Sequence, residues 1–509
     1  MNAFRAEGFA APSPARHDPR PVAVVIGSGF GGLAAAIRLS AMGYRVQVLE
    51  KNEAPGGRAC AFRQDGFTFD AGPTIITAPF LLEELWELCG RRFADDVTLL
   101  PMDPFYRVRF HDGSHFDYNG DPEHMRREVA RFAPDDLPGY ERFLQEAEKC
   151  RRLGFEGMGA TAFDRVSDLL RAIPDFLRMG AWRSLHTLVA KHFRNDKLRT
   201  VMSFHPLLIG GNPFDVTAAY ALINALERNW GVHSALGGTG AIVTGMVKLL
   251  AERGVAVRCR APVTRICIEG GRAVGVQLES GERIDADIVV SNGDTAWTYK
   301  NLVPAEHRRV WTDRKIAHGK YSMGLFVWYF GTSRRWDDVP HHMMVLGPRY
   351  QGLLHDIFKR QHLADDFSLY LHRPSASDPS VAPAGCDTFY ALSPVPHLDS
   401  GTDWAQMAET YRERIAQALE ASVLPGLRQH IVCSQVRTPQ TFHDRLWSFK
   451  GAGFGLEPLL TQSAWFRPHN RSEDIPGLYM VGAGTHPGAG VPGVLMSAKA
   501  LQSVVPHVH

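Results

Sequence analysis

The segment AVVIGSGFGGLAAAIRLSAMGYRVQVLE, residues 23–50, restricts this chain more than any other. A β-branched run from Val22 to Ile26 meets Gly27, and an Ala/Leu-rich helical pattern then runs to Met42. Gly43 closes that helix, and Arg45 to Glu50 reads as a second strand. The spacing predicts a strand–helix–strand unit with G-x-G-x-x-G (Gly27, Gly29, Gly32) at its first turn. Glycines there let backbone approach a pyrophosphate at a helix N-terminus, and the acid ending the second strand, Glu50, can bind a ribose hydroxyl. A dinucleotide on an α/β fold is expected. The fingerprint alone does not choose between NAD and FAD.

The phosphate-binding character continues downstream. In KNEAPGGRA, residues 51–59, Gly56 and Gly57 offer backbone N–H groups and Arg58 a guanidinium beside the same diphosphate. A dehydrogenase needs less than this straight after its second strand, although in isolation the loop also reads as a surface turn with an exposed arginine. Near the C-terminus, VGAGTHPGAGVPGV (481–494) gathers glycines 482, 484, 488, 490 and 493 behind a short apolar strand. Ordering glycine costs roughly 0.5–1 kcal/mol relative to alanine, so something must come close to this backbone.

Composition narrows the class. At 509 residues the chain is long enough for several structural units. A 45% hydrophobic and 22% charged content describes a globular protein. The 56 basic and 54 acidic residues leave +2, which suggests no nucleic-acid partner. The seven cysteines show no C-x-x-C spacing, so neither a disulfide framework nor a metal site is expected, and a reducing compartment is. Residues 1–20 lack an apolar h-region and read as a flexible tail rather than a secretory signal. Ile475 to Ala498 is free of charge, but its glycines and prolines argue for folded interior over a membrane span.

The intervening chain divides by texture. Residues 81–234 read as helices joined by aromatic and proline-bearing loops. Within them, Arg165 to Arg199 is basic and amphipathic, with eight Arg/Lys against three Asp. That pattern suits an interfacial helix and equally a solvated face over a core, and Pro174 is expected to break it in two. Residues 235–295 return to α/β texture, with a helix over 241–253 and strands over 255–259, 263–269, 272–278 and 288–291, turned at Gly270–Gly271 and Ser280–Gly281. Residues 296–469 form a second mixed region, with strand-like runs at 324–330, 367–372 and 388–394. Grouping these segments gives a discontinuous cofactor domain (21–80, 235–295 and 470–509), a helical substrate- or membrane-associating region (81–234) and a substrate-binding domain (296–469).

These motifs together resemble bacterial-type phytoene desaturases, FAD-dependent carotenoid desaturases of the amine-oxidase-like flavoprotein superfamily. The likeness is carried by VVIGSGFGGLAAAIRL, VLEKNEAPGGRA, GFTFDAGPTIIT (66–77), SFHPLLIGGNPF (203–214), LERNWGV (226–232), YSMGLFVWYFG (321–331), LTQSAWFRPHNR (460–471) and LYMVGAGTHPGAGVPGV, and covers nearly everything after residue 21. It implies a Rossmann-like FAD-binding domain beside a mixed α+β substrate domain. It also implies that Gly27, Gly29, Gly32, Gly56, Gly57 and Arg58 hold the diphosphate, Glu50 the ribose, and Val263 the adenine. Gly482, Gly484 and Thr485 would line the ribityl region, and Gly490, Val491 and Pro492 would face the isoalloxazine at the start of a helix running to Gln502. The implied reaction converts 15-cis-phytoene to neurosporene or lycopene, the flavin accepting a hydride.

The polar groups expected near the ring are His486 and Thr485, with a structural role for His486 the alternative. Since a C40 polyene is insoluble, the resemblance implies collection from the inner face of the cytoplasmic membrane, with the basic segment, notably Arg178, Arg183 and Lys191, as the contact. Quinone or oxygen is the implied electron acceptor. Rival readings are a desaturase or isomerase of another carotenoid, an amine oxidase, and a prenyl-binding module like the Rab GDP-dissociation inhibitors.

Overall fold

The computed structural model describes residues 19–508; the tail assigned to 1–20 lies almost wholly outside them. Five parallel strands form the first sheet, in the order Leu478–Met480, Ile288–Ser291, Val22–Ile26, Arg45–Leu49 and Ala256–Arg258. Its members come from three stretches of chain far apart in sequence. Parallel pairing requires both faces to be covered, and the inner strands Val22–Ile26 and Ile288–Ser291 read accordingly as near-continuous apolar runs. Helix Phe30–Ala41 covers one face and packs between Thr239–Glu252 and Val491–Gln502. A three-stranded antiparallel sheet, Val263–Glu269, Arg272–Leu278 and Arg283–Asp285, lies against the other, turned at the expected glycines.

A seven-stranded sheet forms the second body of the molecule. Strand Gly324–Thr332 is buried along its whole length between Asp387–Val395 and Ile431–Arg437. Its side chains alternate in duty. Phe326, Trp328 and Phe330 pack toward helix Trp404–Ser422, while Leu325, Val327 and Tyr329 turn to a central cavity. Two strands from the region read as helical, Tyr106–Arg109 and His115–Tyr118, extend this sheet beyond His342–Val345.

Helix Val166–Met179 departs from expectation. It continues unbroken through Pro174, and the chain turns instead at Gly180, whose φ of +64° closes the helix. Proline costs a helix interior about 3 kcal/mol, but Ala172 and Met179 are buried on either side and hold the turns together. Its outer face is not chiefly cationic either. Val166, Leu170, Ile173 and Leu177 form a stripe at helical spacing, 42–61% exposed, and Trp182 follows at 59%. Arg171 and Arg178 are each paired to an aspartate one turn earlier, Asp168 and Asp175. Among the described residues no helix is long and apolar enough to cross a membrane.

Candidate functional site

The two glycine clusters meet. A Cβ on Gly31 would lie 2.9 Å from both Cα and N of Gly482, so the first turn of helix Phe30–Ala41 touches the C-terminal loop backbone to backbone. Asn292, at the end of strand Ile288–Ser291, fills the space between them; its side chain would stand 2.9 Å from a Cβ on Gly29 and 2.6 Å from one on Gly31 or Gly482. Gly32 serves the turn itself: a Cβ there would strike the Gly27 carbonyl at 2.1 Å. Gly32 therefore lies behind the turn, while Gly27 and Gly29 reach the wall of a cavity.

That cavity, about 520 Å³, runs between the two sheets. At one end Gly27, Gly29, Glu50, Gly56, Gly57, Arg58 and Val263 come together in its lining. Glu50 is buried and fixed: one oxygen accepts from the Ser28 N–H (2.9 Å) and hydroxyl (2.6 Å), the other from the Asn52 N–H (2.9 Å) and amide (2.8 Å). Arg58 donates to the Ser448 hydroxyl at 2.8 Å and stands beside Asp294, while its buried Nε–H has no partner. Burial pushes the Asp294 carboxyl up and the Arg58 guanidinium down. Helix Phe30–Ala41 carries no acid in its own first turn and no side-chain cap on its N-terminal N–H groups. An orphan donor, a bare helix N-terminus and glycine backbone in one pocket fit a bound diphosphate.

In the middle the wall is made by Gly482, Gly490, Val491 and Pro492, with Phe155, Met158 and Gly159 packed beside them. Gly490 has φ +96° and a Cβ there would come within 3.0 Å of Ile209. Gly484 and Thr485, expected at the ribityl chain, lie on the far side of the loop. A Cβ on Gly484 would lie 1.9 Å from the Thr295 hydroxyl, and Thr485 is fully buried, donating to the Pro468 carbonyl at 2.6 Å. Neither reaches the cavity. His486 does: its Nε2 lies 3.0 Å from the Met158 carbonyl, which can only accept. Nε2 therefore carries the hydrogen, leaving Nδ1 a lone pair, buried and without a partner. Burial pulls this imidazole from 6.5 down to about 4, so it is neutral.

The far end is apolar, lined by Phe204, Leu208, Leu325, Val327 and Met344, with Tyr370 and Tyr390 joined through the Thr74 hydroxyl (3.0 and 2.8 Å). Phe176 and Met179 close it from helix Val166–Met179, whose other face is the exposed stripe. Behind Tyr370 sit His341, His342 and His372, all buried and, by burial first, held neutral. They are hydrogen-bonded side chains of paired strands, His341 Nε2 to His372 Nε2 at 3.0 Å and His342 Nδ1 to the Tyr370 hydroxyl at 2.7 Å. Sequence reasoning missed this cluster, Asn292 and Asp294. Only the SNGD stretch closing a buried strand carried a signal for the last two.

The family model for flavin-containing amine oxidoreductases matches residues 30–500. The chain is 51% identical to the neurosporene-forming phytoene desaturase of Cereibacter sphaeroides, covering 95% of this chain and 94% of that one. It is 48% identical to the lycopene-forming phytoene desaturase of Pseudescherichia vulneris, covering 95% and 98%. Among solved structures it is similar to an oxidoreductase from Methanosarcina mazei (TM-score 0.64, 18% identity, covering 95% and 100%) and to putrescine oxidase bound to putrescine (TM-score 0.62, 14% identity, covering 95% and 99%). These last two likenesses speak to the fold alone.

Proposed function

Because the chain belongs to the flavin-containing amine oxidoreductase family, we propose that it is an FAD-dependent oxidoreductase that desaturates a C40 carotenoid precursor, phytoene, toward neurosporene or lycopene. The observation that carries this reading is one cavity with a phosphate-ready end and an apolar end. An amine oxidase needs polar anchoring for its substrate, whereas this far wall is aliphatic and aromatic.

When bound, FAD supplies the hydride acceptor. The remaining work falls to the chain. Gly27, Gly29, Gly56, Gly57 and Arg58 would hold the diphosphate, Glu50 and Val263 would receive the adenosine, and Gly482 with Gly490 to Pro492 would hold the flavin portion. The N-terminus of helix Val491–Gln502 directs its positive end to that place. Loss of a hydride leaves an allylic cation, whose neighbouring C–H is acidic enough for a weak base. His486 Nδ1, neutral and unpartnered, takes that proton, and Thr485 has no part in the step. Aliphatic walls exclude water from the cation.

The discontinuous unit 21–80, 235–295 and 470–509 is the cofactor domain in this reading, and 81–234 with 296–469 builds the polyene chamber. Helix Val166–Met179 touches the bilayer by its apolar stripe and the chamber by Phe176 and Met179, so polyene passes from membrane to cavity beside it. The site of action is the inner face of the cytoplasmic membrane, where quinone or oxygen would serve as the final electron acceptor. Anaerobic incubation of the FAD-loaded protein with phytoene in liposomes and a quinone should bleach the flavin and yield visible-absorbing pigment. Oxidation of amines with phytoene untouched would overturn the proposal.

A further inference from the structure

Five arginines are buried among the described residues: Arg38, Arg151, Arg308, Arg373 and Arg467. Four of them have a carboxylate close by: Glu84 at 3.1 Å, Glu148 at 2.7 Å, Asp313 at 2.8 Å and Asp387 at 2.9 Å, in that order. Arg467 has none. Its Nη1 donates to the Gln462 carbonyl (3.2 Å), its Nη2 to the carbonyls of Leu456 (3.1 Å) and Ala483 (2.8 Å), and its Nε–H is buried without a partner. The one ionisable group opposing its deprotonation is the Tyr220 phenol, which burial keeps protonated.

An arginine keeps its proton in a protein interior, and a buried charge with no counter-charge is strongly unfavourable. Carbonyl dipoles soften that cost without removing it. Among the described residues this occurs at one buried arginine, and its position is informative. Arg467 lies directly behind the middle of the cavity wall: Ala483, whose carbonyl it holds, lines the cavity, and its Cζ is 3.5 Å from where a Cβ of Gly488 would stand. Thr485 and His486 lie between those two residues in the same loop. The diphosphate end already has Arg58 and a helix N-terminus, so a second cation there has no evident task.

We propose that Arg467 is the fixed positive charge that stabilises the negative charge the flavin acquires on reduction, acting from behind the loop 483–488. In a low-dielectric wall a preorganised cation acts on charge that develops during the reaction and costs no reorganisation then. It touches neither ring nor polyene, so it is a positioning residue that sets the cofactor's potential. The inference rests on the flavin-side reading of the 482–492 loop, and the two fail separately: a Gly490→Leu protein that stays yellow removes the loop reading, whatever Arg467 does.

The test uses the full chain loaded with FAD. Sulfite adds to oxidised flavin and leaves negative charge on the ring, so its affinity reports a nearby cation; the midpoint potential reports the same charge independently. Arg467→Met should weaken sulfite binding by at least about tenfold and move the midpoint negative, while Arg467→Lys, keeping the charge, should stay within about threefold of the wild-type protein. Two results overturn the proposal. If both variants bind sulfite as the wild-type protein does, the charge does not reach the ring. If both lose FAD or sulfite affinity to the same extent, Arg467 is a strap for the 456–483 backbone and its charge is immaterial.

Discussion

The exposed stripe on helix Val166–Met179 allows a worked prediction. Leu170 and Leu177 are 61% and 58% exposed, so their outer surface is free to enter a bilayer. Each Leu→Ala change removes three carbon groups worth ~0.8 kcal/mol apiece on leaving water, and scaling by the exposed fraction gives roughly 1.4 kcal/mol per site. The Leu170→Ala/Leu177→Ala pair should therefore lose about 3 kcal/mol of membrane affinity, roughly a hundredfold in partition constant. Folding stability should hold to within about 0.5 kcal/mol, because neither side chain belongs to the core. Co-sedimentation with neutral phosphatidylcholine vesicles at high salt isolates this apolar contribution, since salt screens exposed charges. A variant that binds within about threefold of the wild-type protein would refute the reasoning and return the contact to Arg178, Arg183 and Lys191.

Two further outcomes follow from the site. Gly490→Leu places a side chain where φ is +96° and Ile209 is already 3.0 Å from the Cβ position; it should express solubly but lose its FAD absorption, and a fully yellow protein would mean the glycine serves only the turn. His486 is neutral in the fold down to about 4 and ordinarily titrates at 6.5, so the unfolded chain binds more protons across that window. Its stabilisation is complete above 6.5 and is lost as pH falls toward 4, amounting to roughly 2 kcal/mol between about pH 7 and pH 5. Urea midpoints should shift with pH more in the wild-type protein than in His486→Gln by that amount; equal shifts would show that His486 does not titrate as described.

What could be read from sequence was what short-range spacing controls. The strand–helix–strand unit, the hairpin turning at Gly270–Gly271 and the helix beginning near Pro492 are each set by periodicity and turn residues within a few positions. Which side of a loop faces the cavity is set by its path, and Gly484 and Thr485 turn away from the cavity toward Thr295 and Pro468, which no spacing in the loop announces. Pro174 misled for a related reason: a breaker lowers helix propensity, but packing at Ala172 and Met179 outweighs it. The buried histidines depend on the cross-strand register His342 to His372, and the isolation of Arg467 on the absence of acids from several segments at once. No local pattern encodes either.

The order of strands in the parallel sheet has a bearing on synthesis. Strand Val22–Ile26 leaves the ribosome well before its neighbour Ile288–Ser291, and Leu478–Met480 follows later still. Until residues 478–502 emerge, helix Phe30–Ala41 lacks its partner Val491–Gln502 and Gly31 has no Gly482 to meet. Until then the nascent chain carries an open apolar trough, and such long-range closure is slow and prone to association. The second wall of the cavity is then completed only when residues 478–502 have joined the sheet. Overproduction should yield aggregates in proportion to how far translation outruns the supply of FAD.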